Sequence, residues 1–186
     1  MTILLIKILA KLSFFIPKLI VVVSKSAKKT CNEIGYCKKK LCLITNGYDL
    51  SKLKPNKYHK TYVRKKFRIK KKIPIIGNVA RFDPKKDHSN LLKALSLIKL
   101  KNIDFFCVLI GSGINKYNKK LFSEIKRLEL TNCIRLLDKT DNIPQIMNAL
   151  DIHVQSSRYG EGFPNVVAES MACGTPSVVT DVGDAA

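Results

Sequence analysis

Two carboxylates eight positions apart, Glu161 and Glu169, lie in the stretch Tyr159-Gly-Glu-Gly-Phe-Pro-Asn-Val-Val-Ala-Glu-Ser-Met-Ala-Cys-Gly-Thr-Pro176. The same stretch contains a helix start and a helix stop. Pro164 suits the first helical position, where its missing N–H costs nothing, and Gly174 followed by Pro176 closes the helix about three turns later. Glu161 then belongs to the loop before the helix and Glu169 to its first or second turn. A helix start offers free N–H groups and the positive end of a dipole, which favour phosphate, and carboxylates beside it suit sugar or ribose hydroxyls. Together they predict a nucleotide-sugar ligand. Spacing alone is equally that of an amphipathic helix after a loop, with both glutamates solvated.

A second candidate is the turn Ala80-Arg-Phe-Asp-Pro-Lys-Lys-Asp-His88, at the carboxyl end of an apolar run. Arg81 can grip two phosphate oxygens with one planar fork and Lys86 supplies a mobile point charge, so the pair can stabilise a departing nucleoside diphosphate without a metal. In a lysine-rich chain such a pair is also common as plain surface. Gly111-Ser-Gly113 permits close backbone approach to a ligand or simply a tight turn, and it is no dinucleotide fingerprint, because Lys116 stands where the third glycine belongs. His153 falls inside an apolar strand and reads as a packed side chain; His88 is better placed for chemistry but secondary.

These residues need a scaffold. From position 73 the chain alternates short apolar runs with amphipathic segments: strands at Pro74–Val79, Asp104–Ile110, Cys133–Leu137, Asp151–Gln155 and Pro176–Thr180, helices near Ser89–Leu100, Lys119–Leu130, Ile143–Leu150 and Pro164–Cys173. Such β/α alternation predicts an α/β fold with a parallel, doubly wound, Rossmann-like sheet and ligands at the carboxyl ends of its strands. Residues 51–72 are Lys-rich with scattered apolar positions; they read as a solvated connector, with a short helix at Thr61–Phe67 as an option. Upstream, lysines at 7, 11 and 18 punctuate the apolar residues 1–23, so no uninterrupted run reaches the roughly 20 residues of a spanning helix, and the pattern is not that of a signal peptide. The segment reads as a helix followed by a buried strand, Leu19–Val23, or else as a basic amphipathic helix on a membrane surface.

Composition bounds the alternatives. The 186 residues, 46% hydrophobic and 26% charged, suffice for a packed core. The net charge of +20 is driven by lysine: only six of the 34 basic residues are Arg. These lysines are spread along the chain rather than gathered with aromatics at a reading surface, which argues against nucleic acid and fits solvated faces or attraction to an anionic leaflet. Of six cysteines, 107, 133 and 173 lie in or beside apolar runs as core thiols, and 31, 37 and 42 lack zinc-ligand spacing. A reducing cytoplasm, peripheral to the inner face of a membrane at most, fits this usage. No D-x-D motif is present.

The acidic stretch resembles the E-x7-E motif of the GT-B glycosyltransferases, specifically family 4 (glycosyl transferases group 1), in which EGFP and then E-S/A-M-A-C-G-T-P recur. The likeness extends through Asp151–Arg158 upstream and Val178–Gly183 downstream. The turn at Arg81 resembles the family's phosphate-contacting turn, Ile20–Ser26 resembles a strand and helix near the end of its N-terminal lobe, and Leu43-Ile-Thr-Asn-Gly-Tyr-Asp49 resembles the crossing between lobes. The resemblance implies a retaining, metal-free transferase of hexosyl type, working in polysaccharide or glycoconjugate synthesis, with a nucleotide-diphosphate-sugar donor and a saccharide or lipid-linked acceptor. It assigns Glu161 to the donor sugar's hydroxyls, helped by Gly162 and Phe163 N–H groups, Glu169 to the ribose, and Arg81 and Lys86 to the diphosphate. Pro164, Asn165 and Gly111 border the nucleotide. No cofactor or metal ligand is expected. The implied organisation is an N-terminal-lobe remnant over 1–45, an interlobe connector over 46–72 and an incomplete donor-binding lobe over 73–186, so that the chain reads as a fragment truncated at both ends, inactive alone. The rival reading is a noncatalytic basic module, membrane-adherent, with a degenerate pocket.

Overall fold

The N-terminal apolar run is divided into a helix and a short strand by the segment 13–19, where Ser13 ends the helix and Pro17 cannot continue it. The computed structural model describes residues 2–140 and 142–185, which gather into two compact units. The smaller unit comprises the residues up to Gly47, Gly160–Pro164 and the residues from Asp181 on; the larger comprises Tyr48–Tyr159 and Asn165–Thr180. The smaller unit contains helix α1 (Thr2–Leu12), strand β1 (Ile20–Val22), helix α2 (Lys25–Ile34) and strand β2 (Leu41–Leu43). The two strands pair in parallel, from Ile20 opposite Leu41 to Val22 opposite Leu43, and α2 packs on both. The buried strand expected at Leu19–Val23 needs correction. Val22 is buried, whereas Leu19, Val21 and Val23 are exposed, because side chains alternate across a two-stranded ribbon and one set faces away from α2. Ser13 fixes the end of α1: its Oγ donates to the Ala10 carbonyl at 2.5 Å and accepts from the Cys37 N–H at 2.8 Å.

The larger unit runs α3 (Lys57–Phe67), β3 (Ile75–Val79), α4 (His88–Leu100), β4 (Phe106–Ile110), α5 (Lys119–Arg127), β5 (Ile134–Leu137), α6 (Ile143–Met147), β6 (Ile152–Gln155), α7 (Asn165–Ala172) and β7 (Ser177–Val179). The expected alternation is present, with strand ends trimmed by one or two residues. Helix α3 starts at Lys57 rather than Thr61, because the Asn56 side chain caps it by accepting from the Tyr58 N–H at 3.0 Å. Helix α7 starts at Asn165, one residue after Pro164. The five strands lie in the order β5-β4-β3-β6-β7, all parallel.

Alternation along the central strands supplies two cores. Ile76, Cys107 and Leu109 point to one face and pack with Leu91, Leu92 and Leu121 of α4 and α5. Ile75, Val108 and Ile110 point to the other, against Ile146, Met147 and Cys173. Full burial of each such side chain contributes about 1.5–3 kcal/mol, so both sheet faces are held by helices, as a doubly wound sheet requires. All six cysteines are free thiols.

His153, on β6, is fully buried between Gly77 of β3 and Ser177 of β7. Its Nδ1 lies 3.2 Å from the Ser177 Oγ, and Nε2 has no hydrogen-bond partner among the described residues. It is packed, as its strand position predicts. Burial lowers its pKa from 6.5 to about 4. The unfolded chain therefore accepts a proton that the folded chain refuses, and stability, full above pH 6.5, declines as pH falls toward 4. Urea unfolding of wild type should lose about 2 kcal/mol between pH 7.5 and pH 5 from this group alone; His153→Leu should lack that decrement. Equal decrements in the two proteins would reject His153 as the source.

Candidate functional site

The order of the sheet reverses between β3 and β6, and at such a switch point the strand carboxyl ends open a crevice for ligands. Pairing between β3 and β4 continues past their ends: the Ala80 N–H donates to the Ile110 carbonyl at 2.9 Å and the Phe82 N–H to the Ser112 carbonyl at 2.8 Å. Arg81 sits between these bonds. Gly111 makes them possible, because its φ is +149° and a Cβ there would lie 2.2 Å from the Ala80 oxygen. Gly111 therefore has a clear structural duty, bringing the two chain segments together beneath the basic turn.

On the other side, the loop after β6 holds the same turn. The Ser156 hydroxyl donates to the Lys86 and Asp87 carbonyls at 2.9 and 3.2 Å, and the Arg158 N–H to the Lys85 carbonyl at 2.8 Å. Arg81 Nε lies 3.3 Å from the Asp83 carboxylate, with the Arg81 side chain 66% exposed. The Lys85 N–H, with Arg81 and Lys85 charge behind it, holds the Asp83 carboxyl below its ordinary range. Water screens an exposed pair of this kind, so Arg81 can leave Asp83 for a ligand phosphate at small cost. His88 begins α4 just beyond; it is buried against Phe82, ring centroids 5.5 Å apart, and desolvation lowers its pKa, keeping it neutral at neutral pH. That burial removes it from the solvent-facing candidates.

Helix α7 carries Asn165 and Glu169. Asn165 Oδ1 accepts from the Tyr48 hydroxyl at 3.0 Å. Glu169 is half-buried, and its carboxylate has no hydrogen bond or ion pair among the described residues, so desolvation raises its pKa. A carboxylate partly withdrawn from water and unpartnered is prepared to accept hydroxyl hydrogens from a ligand. The helix is closed by Gly174 at φ +78°, with its N–H on the Met171 carbonyl and the Thr175 N–H on Ser170; the Ser170 hydroxyl returns to the Thr175 carbonyl at 2.9 Å. Gly-Thr-Pro after the acidic helix is thus a stop built from backbone and hydroxyl bonds.

Glu161, Gly162, Phe163 and Pro164 belong to the smaller unit. There the Gly162 carbonyl accepts from the Asp184 N–H at 3.1 Å, and Phe163 lines a cavity of about 430 Å³ with Val23, Leu43 and Thr45. Asp184, which has no sequence signature, caps α2: its carboxylate accepts from the Lys25 and Ser26 N–H groups at 2.5 and 2.8 Å. Slight desolvation would raise the Asp184 pKa, but these N–H bonds outweigh it and lower the carboxyl below its ordinary range. Ser156 and Asp184 were both missed at the level of sequence, since each acts on backbone distant in the chain. Only the Ser-Ser-Arg run closing β6 hinted at the first. Among the described residues no cluster of three or more His, Cys, Asp or Glu side chains forms a metal site.

A parallel Rossmann-like sheet with a basic turn at the end of its first strand and an acidic helix after its fourth defines the class: the lobe matches the fold of GT-B glycosyltransferases. The chain belongs to the family glycosyl transferases group 1, whose profile matches residues 59–186. It is 32% identical over 139 residues to EpsF of Bacillus subtilis (strain 168), covering 75% of this chain and 35% of that protein. It is 29% identical over 149 residues to the UDP-Gal:alpha-D-GlcNAc-diphosphoundecaprenol alpha-1,3-galactosyltransferase of Escherichia coli, covering 77% of this chain and 37% of the relative. The crystal structure of Anabaena Alr3699/HepE in complex with UDP and glucose superposes with a TM-score of 0.89 at 25% identity, over 100% of this chain and 50% of that one. The chain thus spans about a third of the length of these curated relatives and half of the solved one.

Gly111→Ala should lower stability by about 1–3 kcal/mol, since strain at positive φ and a clash with backbone both apply. Gly47→Ala, whose added methyl meets nothing within 4 Å, is the control, and chemical denaturation of both is the measurement. Equal midpoints for the two variants would dismiss the close approach of Gly111 to Ala80.

Proposed function

We propose that this chain supplies the donor-binding part of a retaining glycosyltransferase that moves a sugar, hexosyl in type, from a nucleotide-diphosphate-sugar to a saccharide or lipid-linked acceptor in polysaccharide or glycoconjugate synthesis. The observation that carries the reading is the pairing, in one lobe, of an exposed arginine on a backbone-braced turn with an unpartnered, half-buried carboxylate on α7. The relatives support it: one is named for a UDP-Gal donor and a diphosphoundecaprenol-linked acceptor, and one was crystallised with UDP and glucose. In this reading Arg81 and Lys86 neutralise the diphosphate as it departs, a task otherwise given to a divalent cation, so no metal is required. Glu169 accepts from the ribose hydroxyls, with Asn165 and Gly111 beside the nucleotide. Glu161 takes the donor sugar's hydroxyls together with the N–H groups of Gly162 and Phe163, next to Pro164. Cytoplasmic placement goes with a nucleotide-sugar donor. Donor binding, rather than turnover, is the activity by which the 186-residue chain is tested.

Isothermal titration with UDP and GDP should show saturable binding to one of them, and Glu169→Ala should weaken it tenfold or more, the worth of charge-assisted hydrogen bonds at about 1.5–3 kcal/mol. Because the Glu169 carboxylate has no hydrogen bond or ion pair among the described residues, the variant should unfold at an unchanged or higher denaturant concentration. Unaltered affinity in Glu169→Ala would remove it from the ribose; absence of binding at millimolar nucleotide would remove the donor reading.

A second reading concerns the smaller unit and has its own observation. On α1, Leu5, Ile8, Leu9 and Leu12 form an exposed apolar stripe flanked by Lys7 and Lys11, and no acidic residue occurs before Glu33. This is the pattern of a helix lying in an anionic membrane interface. Leu5→Gln/Leu9→Gln/Leu12→Gln should reduce co-sedimentation with vesicles containing phosphatidylglycerol; binding equal to wild type would reject α1 as the contact.

A further inference from the structure

The Lys-rich stretch between the two sequence landmarks is not simply a solvated connector. Helix α3 and the loop after it form one wall of a groove of about 990 Å³ in the larger unit, whose other wall includes Asn148, Leu150 and the Cys173–Thr175 end of α7. Pro74 and Asp151, which immediately precede β3 and β6, also line it. The groove therefore opens at the amino ends of the strands, the opposite end from the turn that carries Arg81 and Lys86.

Its charge is one-sided. Lys57, Lys65, Arg68, Lys71 and Lys72 line it and are exposed, and none of these five side chains has an ion pair or hydrogen bond among the described residues. The spacing 57, 61, 64, 65, 68 repeats one face of a helix, so α3 lays its basic stripe along the wall. Asp151 is the one carboxylate in the lining among the described residues, and it is already committed: it accepts from the Lys60 ammonium, from Arg64 at 3.2 Å and from the Ile75 N–H at 2.8 Å. Arg64 is anchored in turn to the Lys70 and Ile73 carbonyls, both at 2.9 Å. That anchor fixes the loop bearing Lys71 and Lys72 against the groove. The concentration of like charge is thus held in place by the partly buried ion pairs of Asp151 with Lys60 and Arg64 rather than dispersed by its own repulsion.

We propose that this groove is a second anion site, for a multiply charged phosphate group, presented either as a free diphosphate or as a phospholipid headgroup. Lysine ammoniums are compact, rotatable donors suited to tetrahedral phosphate oxygens. Among the described residues no aromatic side chain lines the groove, so nucleobases find no platform there on which to stack, and single-stranded nucleic acid is disfavoured. The proposal is independent of the donor reading, because it uses none of the residues assigned to the donor.

The test uses the full chain and Lys57→Gln/Lys65→Gln/Lys72→Gln, whose side chains make no hydrogen bond or ion pair among the described residues and whose circular dichroism should match wild type. Calorimetric titration with inorganic pyrophosphate at low salt, with Arg81→Gln/Lys86→Gln run in parallel, separates the two ends of the sheet. Binding that survives in Arg81→Gln/Lys86→Gln, weakens tenfold or more in the lysine variant and falls steeply with added salt supports the site as one for free phosphate. Co-sedimentation with vesicles of phosphatidylcholine and phosphatidic acid that is lost in the lysine variant, without pyrophosphate binding, supports the headgroup. If the lysine variant matches wild type in both measurements, or neither ligand binds, the groove is not a phosphate site.

Discussion

Everything in the larger unit depends on the parallel pairing of β3 with β4 on one side and β6 on the other. A strand in that position is buried on both faces, so its register admits no slip: moving β3 by one residue would exchange Ile75 and Ile76 between the two cores. The same pairing determines what lies at each end. Past Val79 the ladder runs on into the basic turn, and past Gln155 the chain supplies Ser156 and Arg158 to brace that turn from the other side. Before Ile75 and Ile152, it places Asp151 within reach of the Ile75 N–H and of Lys60 and Arg64.

One sheet consequently presents two electrostatic ends of different design. At the carboxyl end, basic groups are few and positioned by backbone bonds, and among the described residues Arg81 pairs with Asp83 alone, through a solvent-screened attraction. At the amino end, charge is plentiful and Asp151, the one acidic partner among the described residues, is committed to Lys60 and Arg64. The first arrangement favours geometric selection of a ligand, the second strength and salt sensitivity. Glu169 adds the complementary chemistry, a carboxylate partly withdrawn from water and without a hydrogen bond or ion pair among the described residues.

Much of this was legible in the residues. The alternation of short apolar runs with amphipathic segments located β3 to β7 and α4 to α7 within a few residues, because strands covered on both faces read as continuous apolar runs while helices packed on a sheet repeat near 3.6. The acidic motif, with its glycine stop, marked α7. Less legible was the α3 region, where scattered apolar residues and many lysines concealed an eleven-residue helix with Val63 buried; the Asn56 cap was the available sign. The exposure of Val21 was also misjudged, since a valine run is consistent with a strand buried on either one or two faces and sequence does not count its neighbours.

The order of residues alone carried the α/β alternation and the residue types of the acidic and basic motifs, through local periodicity and side-chain chemistry, and it carried the family through the resemblance of the Glu161–Pro176 motif. Only the tertiary structure decided which charges stand free and which are committed. Asp184 capping α2, Ser156 bracing the Lys86 carbonyl, and Asp151 tying α3 to β3 all join residues separated by 70 or more positions. Partnerships of that kind depend on where the chain returns in space, and nothing in the local run of residues encodes them separately from the fold.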